Sequence, residues 1–267
     1  MTDLYYSLPF WLSTLLVLGL SVAIGLGCSA GLQALFRFVP TDEEKEIAIN
    51  LMQVVAAYIG ILLAFAAVVV WQDFDDAKIA AHQEASTAAE LYRDLTTYGP
   101  EALAARQHVR AYVGSVINDE WPSLREGKSS RSTEAALGRL FSEIGKIRPN
   151  DGRDSAIYQE SFSKLNELVV IRRDRIIASQ TNIPLIFWLV GLAGSILTIA
   201  YASAFSRSRY NLMMISGTSM MLGMVFIFIL TVDKPFKGQL SVPVDDFVQL
   251  SSTFDRIDQL NLRDQGL

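Results

Sequence analysis

Four stretches of the chain carry no Lys, Arg, Asp or Glu: residues 4–36, 47–72, 176–206 and 210–232. Each is long enough to cross a bilayer, whose apolar core of roughly 30 Å takes about 20 helical residues. The pattern therefore predicts membrane spans over about 9–36, 47–71, 183–205 and 211–232. The first two are joined by the short polar segment RFVPTDEEKE. There Pro40 ends one helix, and Thr41 with Glu44 three residues on forms a capping box that starts the next. The third and fourth are joined only by SRSRY, so the spans pair into two antiparallel hairpins. Gly19, Gly25, Gly27, Ser29 and Gly31 keep the first span thin, which in lipid favours close helix packing.

After Trp71 the sequence turns polar without meeting a helix breaker. Strong helix formers continue to Gly99-Pro100, so the second span is expected to leave the membrane as one rod. A helix follows over about 101–119, stopping at Trp121-Pro122, and a shorter one over TEAALGRLFSEIGKI. From Ser155 a long helix rises back to feed the third span. Residues 73–182 thus read as an all-helical module with one small core, marked by Leu91, Leu95, Val109, Val113, Leu137, Phe141, Phe162, Leu165 and Leu168. The tail, 233–267, ends in an amphipathic helix whose apolar face is Val244, Phe247, Val248, Phe254 and Ile257. The segmentation is therefore 1–72 first hairpin, 73–182 helical module, 183–232 second hairpin and 233–267 tail, in an all-α integral membrane protein.

Composition narrows the function. The chain has 23 Lys and Arg against 28 Asp and Glu in 267 residues, a net charge of −5, and no basic run, which excludes nucleic acid as a partner. The single Cys28 excludes disulfides and cysteine-based metal sites. His82 and His108 sit on separate predicted helices without the spacing of a zinc pair. No nucleotide-binding, metalloprotease or nucleophile motif occurs in a usable context. The reading is that the protein is no enzyme, with no catalytic, cofactor-binding or metal-ligating residues and no cofactor.

The tail carries a recognisable turn: Asp233, Lys234, Pro235, Phe236, Lys237 and Gly238. With Trp71 closing the second span, AAELYRDL at 88–95, EWP at 120–122, LNEL at 165–168 and RRDR at 172–175, it resembles the bacterial four-span membrane family of unknown function with a bestrophin-like label. The resemblance covers nearly the whole chain. It implies the topology and fold, and its label draws an analogy to pentameric anion channels; it transfers no catalytic residue. Val242 stands where that family often has Ser before the proline.

Several candidates for chemistry remain. Asp73, Asp75 and Asp76 lie just outside the second span; one helix alone cannot close them around an ion, but in a symmetric oligomer they would form a charged ring. Ile59, Leu62 and Phe65 are candidates for an apolar neck. Arg172, Arg173 and Arg175 precede the third span and are expected to snorkel to lipid headgroups. The spans hold no Asp, Glu, His, Lys or Arg, which disfavours proton-coupled transport. Arg37, Lys45, Arg207 and Arg209 in the short loops, against six Lys and Arg near the membrane on the other side, favour a cytoplasmic module by raw count. The zero positive charge before the first span, against Arg37 and Lys45 after it, favours the module outside the cytoplasm, the orientation expected here for an inner-membrane, multi-pass protein. Two functions stand: an oligomeric pore or channel for inorganic ions, assembled from copies of this chain in the bilayer, or a non-conducting scaffold or sensor whose helical module binds a protein partner.

Overall fold

The structure, a computed structural model, describes residues 5–6, 8–35, 41–202 and 208–264. Arg37, Pro40 and Arg207 lie outside the described residues, as do the predicted span ends at 36 and 203–205. The described chain is almost wholly helical, and four of its helices are long and apolar enough to cross a membrane. These are α1 (Phe10–Leu35), α2 (Asp42–Tyr98), α7 (Leu185–Ala202) and α8 (Arg209–Val232). Between α2 and α7 lie α3 (Leu103–Ser115), α4 (Trp121–Leu124), α5 (Arg131–Ile144) and α6 (Gly152–Gln180), and after α8 comes α9 (Asp245–Asp264).

The sequence explains where these helices start. At α2 the capping box forms reciprocally: Thr41 N–H donates to Glu44 Oε2 at 2.7 Å and Glu44 N–H to Thr41 Oγ1 at 3.3 Å. Ser130, Asp151 and Ser208 cap α5, α6 and α8 with side-chain oxygens that accept the N–H three residues on, each satisfying a donor the helix leaves open. The returning helix feeds the third span across a short break, because Pro184 has no N–H and crowds the turn before it. α6 stops at Gln180, and the connecting Ile183 N–H donates instead to Asp233 Oδ1 at 2.8 Å.

The chain divides into two compact units. The first comprises Met1–Gln72, Asn182–Asp233 and Gly238–Leu240, and the second Asp73–Thr181, Lys234–Lys237 and Ser241–Leu267. α2 contributes to both, as one continuous helix.

In the first unit α1 packs on α8 and α7, and α7 on α8. Small residues set the approach. A side chain at Gly25 would overlap Ser219, and one at Gly223 would overlap Ser21, whereas Gly19, Gly27 and Gly31 have open space where a side chain would go. Of the glycines expected to thin the first span, Gly25 is the one that a neighbouring helix presses against. The second span buries Ile59, Leu63, Ala66 and Val70. Ile59 lies so close to Gly194 that a methyl there would overlap it, and Leu63 lies against Gly191.

In the second unit the core is built from one stripe of each helix, including Leu91 and Leu95 of α2, Val109 and Val113 of α3, Leu140 of α5, and Leu165 and Leu168 of α6. The tail helix α9 joins this core through Phe247, Leu250 and Phe254. Leu250 takes the place expected of Val248, which is 50% exposed. Tyr92 stacks on Phe254 with ring centres 4.1 Å apart and donates its hydroxyl to Asp258, while Arg110 reaches Asp255 and Asp258 at 2.7 and 2.8 Å.

Candidate functional site

Two features of α2 stand out. The first is a stripe that its own chain leaves uncovered. Ile47, Leu51, Val54, Tyr58, Ile61, Phe65 and Val68 are all exposed large apolar residues, and Gln72, Asp75, Ile79, His82 and Ser86 continue the same face, also exposed, although His82 Nδ1 meets Asp246 Oδ2 of α9 at 3.4 Å. The spacing alternates four and three residues throughout, an average of about 3.5, which is the period of helices that wind around one another. Within the span the stripe is apolar and aromatic. Beyond Val68 it turns polar and carries Asp75.

The predicted neck residues divide on this face. Phe65 is on the stripe and 67% exposed, whereas Ile59 is 4% exposed. Ile59 is corrected: it packs inward on Gly194 of α7. Leu62 is half-buried between the two. Sequence periodicity could not separate these positions, because every residue near them is apolar.

Of the acidic cluster, Asp75 lies on the stripe, Asp76 is exposed beside it and Asp73 is partly buried. Burial, followed by the neighbouring charge of Asp76, raises the Asp73 carboxyl above the ordinary Asp range. No group of three or more His, Cys, Asp or Glu side chains among the described residues is placed to hold a metal.

The second feature is a buried network of charge. Arg175 Nε and Nη2 donate to the two oxygens of Glu84 at 2.6 and 3.0 Å, and Nη2 donates also to Glu120 Oε2 at 2.6 Å. All three side chains are completely buried. Arg172 forms a second, bidentate pair with Glu120, and Tyr112 donates its hydroxyl to Glu84 Oε1 at 2.6 Å. The Arg175 guanidinium also lies over the Trp121 and Phe247 rings, 5.1 and 5.7 Å from their centres. Burial works against the Arg175 charge, but the Glu84 and Glu120 carboxylates hold its pKa above that of a free guanidinium. Burial and then the Glu84 charge push the Tyr112 hydroxyl well above its usual range, so it serves as a neutral donor.

Local sequence brings Glu120 inward. Pro122 can neither donate to residue 118 nor tolerate its carbonyl in a normal turn, so the helix widens: Val116–Glu120 is a π turn in which Trp121 N–H reaches back to Val116 O. Such one-residue bulges re-aim side chains, and both Glu120 and Trp121 are buried.

Arg172 and Arg175 are thereby displaced from the role expected of them. Rather than snorkelling to headgroups, they occupy the inward face of α6, one turn apart on the stripe that begins with Leu165 and Leu168. Only Arg173 is exposed. Glu84 and Glu120 carry no functional assignment in the sequence, although each sits at a core position of its helix.

The tail turn is a set of structural ties. Asp233 accepts Ile183 N–H, Pro235 O accepts Val242 N–H at 2.7 Å, and Phe236 meets Trp121 edge-on at 5.4 Å. Gly238 has φ +90, a conformation that side chains disfavour, and Lys234 O accepts Lys237 N–H at 3.0 Å to close the turn.

Residues 19–247 match the family model described as Bestrophin-like domain. The chain belongs to the Bestrophin-like family. The matched stretch includes the turn at Asp233–Gly238 that carried the resemblance. The fold agrees: a crystal structure of a bacterial Bestrophin homologue from Klebsiella pneumoniae, in a variant with one substitution, superposes with a TM-score of 0.69 at 15% identity, covering 92% of this chain and 98% of that one. A second crystal structure of the Klebsiella homologue gives 0.67 at 16% identity over 91% and 96% of the two chains. A third structure, described as a variant membrane protein, gives 0.63 at 16% identity over 91% and 96%. Comparison with curated proteins found no match. The Bestrophin-like chain is thus an all-α integral membrane protein with four spans in two hairpins and a helical module between the second and third.

Proposed function

We propose that this Bestrophin-like protein assembles as a homo-oligomer and conducts inorganic ions, with the uncovered stripe of α2 turned toward a common axis. The stripe is the observation that carries the reading. Lipid contact alone requires apolar residues but no 3.5-residue repeat, and it does not require the same face to stay uncovered after the chain becomes polar. Helices that gather around an axis require both. The opposite flank of the second span supports assembly as well. Ala56, Gly60, Ala64 and Ala67 line one wall of an apolar groove of about 640 Å³, faced by Met221, Met224 and Phe228, and small residues of this kind let another helix approach closely.

In such a ring Tyr58, Ile61 and Phe65 form an apolar constriction, and copies of Asp75 form a carboxylate ring beyond it, with Asp73 and Asp76 adjacent. Rings of Asp attract cations, so the conducted ion is a cation.

Purified protein in planar bilayers under a KCl gradient should show currents that reverse toward the K⁺ potential, and Asp75→Asn should move the reversal toward zero. The preference should also weaken on acidification at a pH above the ordinary Asp range. Asp73, whose pKa is raised by burial and Asp76, loses its charge at a higher pH than an ordinary aspartate does. Asp76→Asn removes one of those causes and should shift the transition to lower pH. Absence of current from a well-folded oligomer would contradict conduction and leave the scaffold reading.

A further inference from the structure

We propose that Glu84 is a positioning residue that sets the rotation of α2 about its own axis, and with it the direction in which Asp75 points. The inference rests on the axial reading of the stripe and adds what holds the stripe in place.

Glu84 lies nine residues after Asp75 on one unbroken helix. At 3.6 residues per turn that is about two and a half turns, so the two side chains leave opposite sides of the helix. The buried face on which Glu84 sits otherwise carries only small side chains near it: Ala77, Ala80, Ala81, Ala85 and Ala88, with Thr87 beside them. Methyl groups present no ridges tall enough to resist rotation of one helix against another, and the larger side chains of α2 that pack on this core, Phe74 on one side and Leu91 on the other, lie about two turns or more from Glu84. Glu84 is the exception. Both its oxygens are engaged, by two Arg175 nitrogens and the Tyr112 hydroxyl, a planar arrangement that specifies direction as well as distance. Arg175 cannot follow a turning helix, because Glu120 and the Trp121 and Phe247 rings hold its other faces. Buried pairs of this kind add little net stability, and their best-attested use is to select one register among several.

The test uses full-length protein in vesicles with Cys28→Ser. Cysteine is placed at position 75 or 76, about 100° apart on the helix, and modification rates by a cationic methanethiosulfonate are measured. With Glu84 present the two rates should differ severalfold. Glu84→Asp, which keeps the charge but shortens the arm, should change their ratio severalfold while subunit number and melting temperature stay near those of the parent. Glu84→Gln should change it further. Lys164→Gln, which breaks the surface pair between Lys164 and Glu90 at 2.8 Å, should leave the ratio alone. An unchanged ratio in a folded Glu84→Asp protein would overturn the proposal. Equal rates at 75 and 76 in the Glu84 protein would instead sink the axial reading beneath it.

Discussion

Arg175→Met will cost the protein about 3–5 kcal/mol of folding stability, the range seen when one partner of a buried ion pair is removed. The size follows from what is left behind. Arg175 is the largest fully buried side chain among the described residues and donates to both Glu84 and Glu120. Glu120 would keep Arg172, which is 11% exposed and able to adjust. Glu84 would keep only the Tyr112 hydroxyl, leaving a carboxylate in an apolar core. Methionine fills much of the lost volume, so the loss reports the stranded charge more than a cavity. The double substitution Arg175→Met with Glu84→Gln should therefore recover most of the loss, a coupling that a denaturation series on the four proteins of the cycle measures directly. A double variant no more stable than Arg175→Met alone would show that the network matters for packing and not for charge.

The second large effect concerns the span itself. Phe65→Ala should raise single-channel conductance about tenfold, equivalent to lowering the barrier at an apolar constriction by about 1.4 kcal/mol, with little change in stability because the ring contacts so little of its own chain. Ile59→Ala should do the reverse. That side chain is buried against Gly194, so its truncation costs about 2–5 kcal/mol and leaves conductance unchanged. Bilayer recordings and thermal unfolding on both variants separate the two faces of one helix. Equal effects on conductance would refute the assignment of faces.

The contrast between Phe65 and Ile59 shows how far the sequence can be read. Charge-free stretches locate the spans because insertion excludes ionised side chains, and Thr41 with Glu44 locates the start of α2 because the cap is local chemistry. Rotation of a span is not local. A segment apolar on every side contains no amphipathic signal, and the buried face of α2 is decided by Gly191 and Gly194, more than a hundred residues away.

The buried network was legible in part. Ala77, Ala81, Glu84, Ala88, Leu91 and Leu95 follow one helical stripe, as do Val113, Val116, Glu120 and Leu124, and Leu165, Leu168, Arg172 and Arg175. In each, charge stands where the period demands an apolar residue, and two acids on two helices balance two bases on a third. Nearness of Arg172–Arg175 to the third span suggested headgroups instead. That reading omits the helical phase, which turns Arg172 and Arg175 inward and leaves only Arg173 in solvent. Which acid meets which base depends on tertiary placement, including the π turn that Pro122 forces, and no spacing rule supplies it.

The claim that the uncovered stripe of α2 faces an axis shared by several copies is tested most directly by cysteine crosslinking in native membranes, in a Cys28→Ser background. Cysteine at position 65 should give efficient oxidative crosslinks between copies. Cysteine at position 16 of α1, where Leu16 is 50% exposed on a face that ends with the span at Leu35, should give few. Crosslinking at 16 and none at 65 would contradict the arrangement, whatever currents the protein carries.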